Sequence, residues 1–275
     1  MGIASAKVVI KSELTKRNRR KVTRKMQYSE FEHIISPQRM ERYLVACGNR
    51  KRKAMALYKM NIRLSQEVYV LVNYFEIALR NLIDYEMVSR YGNDWLRDAV
   101  NEGGIFDDKR CIETKKIIQK RYTALVNNGE YSHSKLLSTL EFGIWRYLFA
   151  PAQYKQTGQI LLKVFVNKPK SSPEMQYNNK FFFEELQYIN TLRNRIAHQE
   201  PICFSHVTKE IDLTYIRKQY RRIMMLFGYM GIDGARLLKG FDDFATVCKG
   251  IERLEKHLKL NIEQNIIGYE KTESE

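Results

Sequence analysis

Residues 193 to 198 read Arg-Asn-Arg-Ile-Ala-His. Arg193 is a permanent cation with a planar fork of donors, Asn194 a neutral hydrogen-bonding amide, and His198 a ring that gains or loses a proton near neutral pH. Together they are the groups that metal-free cleavage of RNA asks of a protein. The 2′-hydroxyl is a nucleophile that the substrate already carries, so the site has only to move protons and hold the charge of the phosphorane. An imidazole whose ordinary value is ~6.5 can remove the 2′-hydroxyl proton or protonate the leaving oxygen. A guanidinium can stabilise the developing phosphate charge. The products of such a reaction are a 2′,3′-cyclic phosphate and a 5′-hydroxyl.

On a regular helix Asn194 and His198 stand four apart on one face, whereas Arg193 and His198 are five apart, about 140° around the axis. Asn194 can therefore orient His198 directly. Arg193 needs an irregular helix end, or a partner chain, to meet the same phosphate. One motif also offers a single proton-transfer group, where cleavage wants both an acid and a base. Two motifs across a two-fold axis would supply both, which predicts a homodimer with a composite site. The spacing by itself also fits a helix-end histidine that caps carbonyls and does no chemistry.

The elements that must position these residues read as helices. The apolar pattern from Phe181 to Leu192 predicts a motif helix over about Asn179 to Ala197, with Pro201 just beyond. From Ala54 to Arg90 apolar residues recur at helical spacing without glycine or proline, and Gly92 is a stop signal. Further helices are expected over Asp108 to Val126, Ser134 to Phe149, Lys209 to Phe227 and Lys249 to Leu260, with a turn at Asn127-Asn128-Gly129. Ile160 to Val166 fits a helix end or a short strand, and Asn167 to Ser172 a loop. With 14 glycines and 5 prolines in 275 residues, the chain favours long helices over many strands, and the expected fold is all-α.

Lys and Arg number 47 against 31 Asp and Glu, a formal charge of +16. A surplus of this size makes a polyanion the natural partner, nucleic acid first, because each phosphate neutralised releases condensed counterions. No apolar run approaches the roughly 18 residues a membrane span requires, and no signal peptide is visible, so a cytoplasmic location is expected. Cys47, Cys111, Cys203 and Cys248 are scattered, as are the five histidines, so neither a metal site nor another cofactor is expected.

The division expected is a basic arm over residues 1–30, a helical domain over 31–260 and a polar tail over 261–275 that frays. The arm concentrates Lys16, Arg17, Arg19, Arg20 and Lys21. Such a block either settles onto RNA phosphates or remains a solvated terminus. Arg50, Lys51, Arg52 and Lys53 are a second candidate RNA contact, or a solvated first turn. Arg217 and Arg221, in a later basic helix run, are a third. Glu76, Arg80 and Asn81 stand at helical spacing, Glu76 and Arg80 as an i, i+4 ion pair, and would either brace the bundle or support RNA binding.

The run Leu192 to Pro201, LRNRIAHQEP, resembles the signature of HEPN ribonucleases in the form found in abortive-infection (Abi) proteins of bacterial phage defence, of the AbiF/AbiD type. Ser36 to Tyr43 (SPQRMERY), Ala56-Leu57-Tyr58 with Asn61 and Ser65, Glu76 to Asn81 (EIALRN), Tyr91-Gly92 with Trp95, and Leu140 to Trp145 (LEFGIW) also resemble that family's pattern. The likeness covers about residues 30 to 205. It implies a HEPN-like helical bundle, metal-independent endoribonuclease activity with Arg193, Asn194 and His198 catalytic, and a toxin-like role in which a small antitoxin RNA restrains the enzyme. HEPN toxins silenced by nucleotidyl transfer usually carry a tyrosine two residues after the histidine; here that position is Glu200, so this control is not expected. Two alternatives stand beside the nuclease: a non-catalytic RNA-binding protein on the same scaffold, and a module whose basic face binds an acidic protein.

Overall fold

Apolar residues recurring every three or four positions, with few breakers, make helices the cheapest way to satisfy the backbone while burying one face. A computed structural model describes residues 25–205, 207–208 and 210–272, with side chains as far as residue 260. The arm residues Lys16, Arg17, Arg19, Arg20 and Lys21 lie outside the described residues. Among the described residues the regular elements are helical, joined by turns and one isolated antiparallel bridge between Phe204 and Ile211. The fold is all-α. The described chain forms two compact units, one of the residues up to Lys59 with those from Leu254, the other Met60–Arg253.

In the first unit α1 (Tyr28–Ile35) is followed at once by α2 (Pro37–Ala46). Ser36 between them takes φ 87°, and its hydroxyl accepts the Arg39 N–H at 3.3 Å as the cap of α2. Pro37 sits in the first turn, where the missing N–H costs nothing. Phe31 and Tyr43 pack edge-on against Tyr58 of α3 (Lys51–Tyr91), with centroids 5.4 and 5.1 Å apart. The SPQRMERY stretch is thus the joint and second helix of this hairpin.

The second unit holds most of α3, the long helix expected over 54–90, which stops at Gly92 with φ 89°. Then come α4 (Trp95–Asp98), a 3-10 turn (Lys109–Cys111), α5 (Ile112–Asn127), α6 (His133–Thr139), α7 (Phe142–Tyr147), α8 (Pro151–Gln156), a 3-10 turn (Ile160–Val164), α9 (Asn179–Ala197), α10 (Thr214–Tyr229), α11 (Gly234–Leu237) and the start of α12 (Phe244–Thr272), whose residues from Leu254 belong to the first unit. Phe75 of α3 meets Phe142 and Phe227 at 6.3 and 5.4 Å, and Phe165 stacks on Phe182 at 3.7 Å. Trp95 and Trp145 are fully buried in this core. The motif helix α9 packs against α7 and α10. Arg222 of α10 and Glu185 of α9 form an almost buried ion pair at 2.7 Å.

Four boundaries depart from expectation. The single helix expected over 134–149 is two, because Leu140 is extended (φ −85°, ψ 135°), and the Ser138 and Thr139 hydroxyls donate back to the Lys135 and Leu136 carbonyls. The helix expected from 209 begins at Thr214. Before it the Asp212 N–H bonds to the Cys203 carbonyl at 3.0 Å, beside the Phe204–Ile211 bridge, and the Asp212 carboxylate then accepts the Thr214 N–H at 2.7 Å. Ile160–Val164 is neither strand nor α-helix end but a 3-10 turn. The last helix starts at Phe244, whose N–H the Asp242 carboxylate accepts at 3.1 Å, and its backbone continues to Thr272.

Candidate active site

α9 buries Phe182, Leu186, Ile189, Leu192 and Ile196, one stripe at three- and four-residue spacing. Asn178 caps its start by accepting the Phe181 N–H at 3.1 Å. The stripe fixes the rotation of the helix, and so leaves Arg193 half-buried and Asn194 and His198 exposed.

The helix remains regular through Ala197 and ends in a Schellman turn. The Gln199 N–H bonds to the Ile196 carbonyl and the Glu200 N–H to the Arg195 carbonyl, both at 2.9 Å, with Gln199 in the left-handed region at φ 55°. His198 caps the helix just after its last residue (φ −85°, ψ 7°), and its N–H bonds to the Asn194 carbonyl at 2.9 Å. Arg195 clamps this turn. Its Nε lies 3.0 Å from a Glu200 carboxylate oxygen, another of its nitrogens donates to the Pro201 carbonyl at 3.0 Å, and its guanidinium covers the Tyr215 ring at 5.2 Å. Just beyond, the buried Asn61 carboxamide accepts the Ile202 and Cys203 N–H groups at 2.9 and 3.2 Å. The backbone of His198 is therefore held on both sides while its ring stands in solvent.

Arg193 and Asn194 line a cleft of about 420 Å³, together with Asn190 of α9, the start of α7, and Lys120 and Arg121 of α5. Arg193 donates to the Asn194 side-chain oxygen at 3.4 Å, and among the described residues it has no ion-pair partner. Glu76 of α3 feels this site. Burial pushes its carboxyl above the usual carboxylate range, against the pull of the Arg193 and Arg80 charges and of the Phe142 backbone N–H, while the Glu141 charge adds to the rise. Arg80 acts on Glu76 through its charge, without the contact ion pair expected between them among the described residues, and donates to the Asn81 side chain at 3.3 Å. His198 is not among the residues lining the cleft. Within one chain, then, the cleft takes the guanidinium without the imidazole.

The other candidate contacts scatter. Lys51, Arg52 and Lys53 are exposed and Arg50 half-buried in the first unit, with Lys51 over the Tyr28 ring at 5.4 Å. Arg217 is engaged with Glu252 at 2.7 Å, whereas Arg221 is exposed, and both line a second cleft of about 500 Å³ with Tyr220, Phe244 and Cys248. Sequence reasoning missed the Arg195–Glu200 clamp and the entry of Lys120, Arg121 and Asn190 into the cleft. Asn190 could have been found, since it stands four before Asn194; nothing local marks Lys120 or Arg121.

Among the described residues no three His, Cys, Asp or Glu side chains are grouped to hold a metal ion, and no helix is long and apolar enough to cross a membrane. All four cysteines are buried, and none is joined in a disulfide. No curated protein and no solved structure matches the chain. The sequence profile described as Abi-like protein matches residues 21–203, a span that contains the Arg193 to His198 motif, Glu76 to Asn81 and the Ser36–Pro37 joint. That is well over half of the chain, and the protein belongs to the Abi-like family.

Proposed function

We propose that this protein is a metal-independent endoribonuclease of the HEPN type, close to the AbiF/AbiD kind, acting in abortive-infection defence. His198 moves the proton of the 2′-hydroxyl or of the leaving oxygen, Arg193 stabilises the phosphorane, and Asn194 orients the pair. The products are 2′,3′-cyclic phosphate and 5′-hydroxyl ends. The observation that carries this reading is that both charge-bearing groups are open to a substrate: Arg193 lines a cleft with no ion-pair partner, and the His198 ring is exposed with no side-chain hydrogen bond, among the described residues. Buried in apolar packing, neither could reach a phosphodiester.

That the cleft takes Arg193 without His198, which stands five residues on, supports a homodimer in which Arg193 of each copy meets His198 of the other. RNA is the substrate, and the surplus of +16 also suits an antitoxin RNA that restrains the enzyme.

The test uses purified protein and single-stranded RNA with a chelator present. Cyclic-phosphate ends are expected, and His198→Ala should lower the rate by about 10²–10⁴-fold, the usual range for a lost general acid or base, while RNA binding persists. Cleavage unchanged in His198→Ala would return the protein to the class of RNA-binding modules without catalysis.

A further inference from the structure

We infer that the cleft beside Arg193 is a base-reading pocket, which takes one unpaired nucleotide of an RNA strand and so sets where the strand is held. The placement of that nucleotide's phosphate at Arg193 rests on the ribonuclease reading above; the pocket itself rests on what lines it.

The cleft has two kinds of wall. One is apolar and partly aromatic: Ile117, Leu140, Phe142 and Ile144, with the ring of Tyr147 at the side. Tyr147 is 46% exposed, so part of its ring is open to a ligand. Its ring is also held in place, with the Arg146 guanidinium 4.8 Å from its centroid and Phe183 edge-on at 6.0 Å. A fixed, half-open aromatic ring is what unstacked bases use as a platform.

The other wall is polar and cationic. Asn190 is half-buried and lines the cleft, and among the described residues its carboxamide makes no hydrogen bond. An amide in that position has two donors and an acceptor to offer to a base edge. Lys120 is exposed with no ion pair among the described residues, and Arg121 is loosely paired with Glu141 at 3.6 Å, both side chains well solvated. With Arg193 these place three cations around a cavity whose floor is apolar. A site for phosphate alone would have no use for that floor, and a site for an apolar group alone no use for the cations.

Size narrows the occupant. About 420 Å³ lies within the roughly 300–1,000 Å³ of ordinary small-ligand sites, which suits one nucleotide. A duplex is read across successive grooves over many base pairs and has no unstacked base to insert.

Binding is measured by fluorescence anisotropy with 2′-O-methyl hexanucleotides of A, C, G or U, which lack the nucleophile and cannot be cut. The full-length protein should prefer one base by about tenfold or more. Asn190→Ala should flatten that preference, Tyr147→Ala should weaken all four ligands by about tenfold, and Tyr147→Phe should keep wild-type affinity. Each variant's thermal melt identifies any loss that comes from misfolding, and Asn190→Asp serves as a second variant should Asn190→Ala be unstable. Equal binding of the four hexamers by the wild type, or a preference that survives both Asn190→Ala and Tyr147→Ala, overturns the pocket. So does competition by free mononucleotides as effective as that by the hexamers. Loss of the ribonuclease reading is separable: base preference in binding without any cleavage of unmodified RNA sinks the enzyme and keeps the pocket, whereas cleavage with no base preference does the reverse.

Discussion

The side-chain oxygen of Asn61, on the long helix α3, accepts the backbone N–H of Ile202 at 2.9 Å and that of Cys203 at 3.2 Å. Asn61 is buried, and it supplies the acceptor for two amides that leave the motif helix and have no helical partner of their own. The segment after His198 is thereby tied to a helix remote from it in sequence.

Asn61→Ala strands both amides. The expected destabilisation is about 1–3 kcal/mol, the range for a buried donor left without a partner. Urea unfolding measures the loss, and faster hydrogen exchange at Ile202 and Cys203 would locate it. Unchanged exchange at those two amides would mean that the turn is held by Arg195 alone.

Gln199 adopts φ 55° in the turn that ends α9. A side chain in that conformation costs about 1–2 kcal/mol, against which glycine carries a larger entropy loss of roughly 0.5–1 kcal/mol. Gln199→Gly should therefore stabilise by about 0.5–1 kcal/mol with the position of His198 preserved, read as a higher midpoint in urea at an unaltered slope. A lower midpoint would show that the Gln199 side chain itself contributes to the turn.

Burial raises the Glu76 carboxyl above the ordinary carboxylate range. The folded state then holds its proton more tightly than the unfolded chain, whose glutamates titrate near about pH 4.3. Stability from this group is fully present below that pH and falls as pH rises through the raised folded value. Glu76→Gln should flatten this decline and, by removing the charge next to Arg193, lower cleavage without unfolding the protein. Melting temperatures between pH 4 and 7 test the first part; a slope identical to wild type would discard it.

Asp84 behaves in the opposite sense. Burial pushes its carboxyl up, but the hydrogen bonds with His133 and from Trp95, each at 2.7 Å, outweigh it and hold the group below the ordinary range. Its contribution is present above the unfolded value of about pH 4 and is lost as pH falls through the folded one. Asp84→Asn is expected to destabilise by about 2–3 kcal/mol at neutral pH, the loss of charge-assisted bonds, and to blunt the acid transition. An acid midpoint equal to that of wild type would leave the triad without energetic weight.

What could be read from the chain alone is what depends on local periodicity and on residue type. Apolar spacing located the long helix ending at Gly92 and the motif helix Asn179–Ala197, because a buried stripe at 3.6-residue period needs no knowledge of its partner. The same holds for the all-α class. Tertiary structure decided the rest. The break at Leu140 lies beside Glu76 of a distant helix, which a window of local sequence does not contain. Lys120 and Arg121 read as an ordinary solvated face until packing brings α5 to the same cleft as Arg193. Arg217, basic in sequence, proves to be engaged by Glu252. Charge and period are properties of a segment, but a site is a convergence of segments, and convergence is set by how the buried stripes pack against one another.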